Sequence, residues 1–136
     1  MDKKKVLFIC IHNSARSQMA EALLNHLKGD KYEAYSAGIK PSNLNPYAIK
    51  VMKELGIDIS GYRSKSINEF YGVEFDYIVT VCDQAKEECP IFLGGKKHIH
   101  KSFDDPSQFK GNEEEILSKF RIIRDQIKDW IEEVFK

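Results

Sequence analysis

Cys10 and Arg16 bracket a short stretch, Cys10-Ile11-His12-Asn13-Ser14-Ala15-Arg16-Ser17, that combines a thiol, a run of backbone amides and a guanidinium. These are the groups that hold a tetrahedral oxyanion and attack it. Amides at the start of a helix converge on one point and carry the positive end of the helix dipole. Successive N–H groups in a curled loop form a concave anion cradle. Arg16 can clamp two oxygens at once, and the same positive field favours the thiolate of Cys10. Asn13 and Ser17 can hold the loop in shape through side-chain hydrogen bonds. The plainer alternative is a buried strand-end cysteine beside a surface arginine, and a site between a strand and a helix weighs against it.

Two further thiols stand at Cys82 and Cys89. Three cysteines, an odd count, do not look like a secreted disulfide scaffold. In a reducing compartment such residues are buried filler, metal ligands or reactive thiols. The C-x6-C spacing lacks the usual zinc knuckle, so Cys82 and Cys89 with His98 and His100 make a poor metal site. Surface or edge-strand positions suit His98, His100 and His26 better.

The elements that position these residues follow from apolar patterning. Residues 5–11 (KVLFICI) read as a strand buried on both faces of a parallel sheet. Residues 15–28 read as a helix with Met19, Ala20, Leu23, Leu24 and Leu27 on one face, stopping at Gly29. A second strand covers 32–37 and ends at Gly38. Pro46 opens a second helix over 47–55, and a short helix is expected near 67–70. Strands follow at 77–82 and 97–103. The last helix has an apolar stripe of Ile116, Phe120, Ile123, Ile127, Trp130 and Val134, with Asn112 as N-cap and Glu115 three positions on. This alternation predicts an α/β fold with a four-stranded parallel sheet in the order 2-1-3-4 and helices on both faces. That order leaves a crevice at the carboxyl ends of the first and third strands. Cys10 and Cys82 both fall there, so two thiols far apart in sequence are expected to face one crevice.

Composition bounds the function. The 136 residues suit one domain spanning 1–136, large enough for a core without disulfide or metal staples. Twenty-one basic residues balance twenty-one acidic ones, which argues against a nucleic-acid or anionic-membrane binder. No apolar run approaches the roughly 20 residues of a membrane span, and no secretory signal is evident. A cytoplasmic monomer is the expectation.

The stretch CIHNSARSQMAEAL resembles the signature of the low-molecular-weight protein tyrosine phosphatase fold, and more narrowly the thioredoxin-coupled arsenate reductases built on it. The likeness extends through YSAG at 35–38, DIS at 58–60, VTVCDQAKEECP at 79–90 and FDDP at 103–106. It implies that residues 11–17 bind arsenate, with phosphate or sulfate as mimics, and that no metal or cofactor takes part. It also implies a relay. Cys10 attacks arsenate, Cys82 attacks Cys10 to release arsenite, and Cys89 attacks Cys82. The Cys82–Cys89 disulfide then passes to thioredoxin or a similar dithiol. A phosphatase has no use for Cys82 and Cys89, whereas two thiols becoming a disulfide supply the two electrons of a reduction.

In the same comparison Asp105 corresponds to the general acid, with Asp104 its rival by position. Ser107 and Gln108 stand where phosphatases carry paired aromatic residues, His12 where they carry Gly, and Ala15 where they carry a second Cys. Some relatives bind potassium through residues matching Asn13, Glu21, Ser36 and an aspartate at position 65. Lys65 stands there instead, so pairing with Glu21 and no response to potassium are expected. A helical 83–89 would hold Cys82 and Cys89 about 10 Å apart, beyond the roughly 7 Å that a disulfide bridges. That segment is therefore expected to unwind or loop when that disulfide forms, with Gly94 and Gly95 as hinges. Arsenate reductase, phosphatase and a non-enzymatic oxyanion or redox sensor all remain open at this stage.

Overall fold

The computed structural model describes residues 2–82 and 94–136. β1 (Lys4–Cys10) leads through the Cys10 loop into α1 (Arg16–Lys28), followed by β2 (Tyr32–Gly38) and α2 (Pro46–Lys53). A 3-10 turn (Ile67–Phe70) precedes β3 (Tyr77–Thr80). β4 (Lys97–His100), a second 3-10 turn (Pro106–Gln108) and α3 (Glu113–Val134) complete the described elements. The four strands are all parallel, in the order β2-β1-β3-β4, as the sequence predicted.

β1 alternates its apolar side chains between two cores. Val6, Phe8 and Cys10 join Met19, Leu23 and Leu24 of α1, Val51 and Met52 of α2, and Phe120, Ile123 and Ile127 of α3. Leu7 and Ile9 face the other way, onto Ile67, Phe75 and Ile78. Among the described residues the three α-helices therefore pack on one face, and the 3-10 turn with Phe75 covers the other, where the sequence reading expected helices on both. Each large side chain so enclosed contributes about 1.5–3 kcal/mol. The register sets Cys10 opposite Gly38 and Ile9 opposite Thr80, which brings the ends of three strands level beneath the Cys10 loop.

Several boundaries differ from the sequence reading: β1 runs 4–10 rather than 5–11, α1 16–28 rather than 15–28, and α2 46–53 rather than 47–55. β3 stops at Thr80 and β4 at His100, short of 82 and 103, because β1 gives way to the loop at Cys10. Beyond that level the ladder continues as isolated bonds, from Val81 N to Ile9 O at 3.0 Å and from Phe103 N to Val81 O at 3.3 Å. In α3 the buried stripe ends on Ile131 and Phe135, and Val134 is 40% exposed. A period of 3.6 residues carries the apolar face one position onward over a helix this long. Phe135 meets Phe8, Tyr32, Tyr77 and Trp130 edge-on, with centroids 5.2–6.2 Å apart. The segment 83–89 and Cys89 lie outside the described residues. Among the described residues, no helix is long and apolar enough to cross a membrane.

Candidate active site

The loop between β1 and α1 curls because its carbonyls are drawn outward. Ile11 O accepts from Lys40 N at 2.9 Å, and His12 O from Ser42 N at 3.3 Å and Ser64 Oγ at 2.7 Å. Asn13 O accepts from Gln18 Nε2 at 3.1 Å, and Ser14 O from Asn45 N at 2.9 Å. In a trans peptide the N–H points opposite to its C=O. Four outward carbonyls thus turn the amides of residues 12–15 toward the loop's interior. Asn13 N reaches Cys10 Sγ at 3.2 Å.

This curl requires Asn13 at φ 51°, in the left-handed region, which asparagine tolerates better than most residues. It also needs clearance at Gly38. A Cβ there would stand 2.5 Å from Ile11 O and 2.9 Å from Asn13 N. Gly38 N is meanwhile bonded to Lys65 O at 2.8 Å.

Cys10 is 3% exposed and is a free thiol. Its sulfur lies 2.8 Å from Ser17 Oγ, which accepts from Asn13 Nδ2 at 2.8 Å. α1 starts at Arg16 with no side-chain cap from Ala15 and no acidic residue in its first turn. The positive end of the helix is therefore not neutralised from within the helix. Arg16 is buried, donates to Phe103 O at 3.2 Å, and stands 3.6 Å from Asp105 Oδ2. Asp105 Oδ1 accepts from Ser107 N and Ser107 Oγ at 3.0 and 2.6 Å. Asp104 is directed to Lys119 instead, at 3.7 Å. Ile11 and Ser14 are half-buried, and His12 is exposed with Nδ1 3.0 Å from Lys40 O.

Cys82 is fully buried, belongs to the same core as Cys10, and is disulfide-bonded. His98 and His100 are exposed on β4. Lys65 Nζ stands 3.6 Å from Glu21 Oε1 and donates to Arg63 O at 3.1 Å, and Ser36 Oγ donates to the same Glu21 oxygen at 2.7 Å. Burial pushes the Glu21 carboxyl above its ordinary pKa, while Lys65 and Ser36 pull it back. Burial, then repulsion from Glu21, raises the Tyr62 phenol.

The sequence reading passed over Gln18, Ser64 and the backbone of Lys65, all of which buttress the loop. Position 18 follows Ser17 inside a helical stretch, and nothing in the sequence separates it from a surface glutamine. The glycine ending YSAG was the one available signal for the close contact at 38.

Residues 5–136 match the family described as low molecular weight phosphotyrosine protein phosphatase. An arsenate reductase from Halalkalibacterium halodurans is 43% identical over 127 residues, covering 93% of this chain and 91% of the relative. A solved arsenate reductase in a phosphate-binding state superposes with a TM-score of 0.80 at 33% identity, over 96% of this chain and 95% of that one. The thioredoxin-dependent arsenate reductase of Corynebacterium glutamicum gives a TM-score of 0.65 at 27% identity, over 96% of this chain and 61% of that one. With the family matched over nearly its whole length and a loop of this geometry at its first strand, the chain belongs to the low molecular weight phosphotyrosine protein phosphatase family.

Proposed function

We propose that this chain is an arsenate reductase that uses Cys10, Cys82 and Cys89 in turn. The Cys10 thiolate attacks arsenic(V), held by the amides of residues 12–15 and the Arg16 guanidinium, and an oxygen leaves as water with Asp105 as the proton donor. Cys82 attacks Cys10 Sγ. The sulfur–arsenic bond breaks with its electron pair on arsenic, which departs as arsenite, and a Cys10–Cys82 disulfide remains. Cys89 attacks Cys82 and releases Cys10 as a thiolate. A thioredoxin-like dithiol reduces the last disulfide, a reaction suited to the cytoplasm. No metal or bound cofactor enters this scheme.

The observation that carries this reading is the pairing of a free, buried Cys10 inside an anion loop with a disulfide-bonded Cys82 in the same core. Hydrolysis of a phosphate ester calls for the first thiol and not the second. Arsenate reductases at 42–45% identity support the same substrate.

Arsenate turnover with thioredoxin, thioredoxin reductase and NADPH tests the scheme. Cys10→Ser, Cys82→Ser and Cys89→Ser should each lose multiple turnover. Cys89→Ser should complete one turnover and trap a Cys10–Cys82 disulfide, visible by peptide mass. Full multiple turnover by Cys82→Ser would refute the relay. The second reading, a phosphatase working through a Cys10 phosphoenzyme, draws on the family match and on Asp105 beside Arg16. It would be favoured by fast hydrolysis of aryl phosphates without arsenate turnover. A reductase should show only slow hydrolysis, since phosphate and arsenate share shape and charge.

A further inference from the structure

Gln18 lies in the first turn of α1 and is fully buried. Its Nε2 shares two hydrogens among three oxygens: the Asn13 carbonyl at 3.1 Å, Asn13 Oδ1 at 2.9 Å and the Arg63 carbonyl at 2.8 Å. Turned over, the amide would set its own oxygen against three acceptors, so chemistry fixes its orientation. Gln18 Oε1, by contrast, is buried with no hydrogen-bond partner among the described residues. A buried amide with one end unpaired is destabilising where an apolar side chain of the same size would not be. What Gln18 does in return is local to the loop.

Asn13 is the single non-glycine position with positive φ among the described residues. That twist turns its carbonyl out of the loop and its N–H onto Cys10 Sγ at 3.2 Å. Gln18 supplies the donor that receives the outward carbonyl, and it also grips Asn13 Oδ1 alongside Lys65 N, which is 2.9 Å away. With its acceptor oxygen so held, Asn13 aims Nδ2 at Ser17 Oγ, the atom that touches Cys10 Sγ. Through Arg63 O, the same glutamine anchors the 63–65 segment, whose Ser64 hydroxyl holds the His12 carbonyl outward.

We propose that Gln18 is a positioning residue: its side-chain amide locks Asn13 in the left-handed twist and so sets the loop amides against Cys10 and the bound oxyanion. This rests on the anion-loop reading above. Its consequence is that oxyanion affinity depends on a side chain that never touches the anion.

Sulfate is the probe, because its charge does not vary from about pH 8 to about pH 5. Its affinity is read by calorimetry for the unsubstituted protein, Gln18→Met and Gln18→Glu. Gln18→Met keeps the volume and removes every donor, and should weaken sulfate binding about tenfold. Gln18→Glu should bind poorly at about pH 8, where a carboxylate would face three oxygens. It should recover affinity, relative to the unsubstituted protein at the same pH, as acid restores one O–H donor. A side chain that merely filled space would give unchanged affinity in Gln18→Met and no recovery in Gln18→Glu, and either result overturns the proposal.

If Gln18→Met does not fold, the unsubstituted protein still decides the matter. The side-chain amide resonances of Gln18 should shift as sulfate saturates, and unmoved signals overturn the proposal. Failure of the unsubstituted protein to bind sulfate or phosphate would sink the anion-loop reading, and this inference with it. Normal binding by Gln18→Met sinks the inference alone.

Discussion

Lys65 illustrates how one side chain changes a site without touching the reaction. The Lys65 and Glu21 side chains are 14% and 13% exposed, with their charged groups 3.6 Å apart. Burial raises the Glu21 pKa, so the folded state holds that proton more tightly than the unfolded chain does. Stability contributed by such a group is present at low pH and falls as pH rises from the ordinary carboxylate range through the raised value. Lys65 opposes that fall. Lys65→Met should therefore lower stability by about 1–3 kcal/mol at neutral pH. The deficit should narrow on acidification as Glu21 takes up its proton. Urea denaturation at several pH values measures this, and a pH-independent deficit would show that the ammonium does not act through Glu21. At this scale the sequence was most legible at Cys10 and Arg16, where chemistry is written in residue type; the charge at 65 opposite Glu21 came into view only through the resemblance to relatives with an aspartate there. It was least legible at Gln18, because burial of a polar helical residue is decided by what packs over it from residues 63–65.

The helices divide the labour of stability and function through their first turns. α3 has a full capping box, with Asn112 Oδ1 accepting from Glu115 N at 2.9 Å and Glu115 Oε1 accepting from Asn112 N at 3.3 Å. Three glutamates occupy its first turn, where the helix dipole favours negative charge. α1 has neither device. Asn112→Ala should therefore cost about 1 kcal/mol in denaturant unfolding and leave arsenate turnover unchanged. A matching loss of turnover would mean that α3's first turn is coupled to the site. The Asn112 cap and Glu115 were readable in advance because they are local. Arg124 was not. Its Nη1 donates to Val51 O at 2.9 Å and to Glu54 Oε1 at 2.7 Å, tying the end of α2 to the middle of α3 across a gap that no local pattern reveals. The early ends of β3 and β4 escaped the sequence for a related reason. An apolar run marks where a strand can extend, while its neighbour decides where pairing stops.

Across the whole molecule, the strand order makes the site a meeting of distant segments. The loop after β1 is held by residues 38–45 and 63–65, and Arg16 is held by residues 103–105. The far end of the sheet is closed by Phe135, which packs on Phe8, Tyr32, Tyr77 and Trp130. It thereby joins three strands to the last helix. Phe135→Ala should cost about 3–5 kcal/mol, lowering the unfolding midpoint with the oxyanion affinity of the remaining folded protein intact. A loss under about 1 kcal/mol would mean that the cluster re-forms without it. The alternation of apolar strands and amphipathic helices was enough to give this topology from sequence, since few arrangements bury such strands on both faces.

Position 38 carries a lesson for anyone transplanting the anion loop. Its curvature borrows room from a hydrogen atom on the adjoining strand, and any other amino acid would put carbon into that space. A graft onto a foreign parallel sheet would have to import the neighbour's last residue together with the eight-residue stretch from 10 to 17. The loop is therefore not portable as a single peptide.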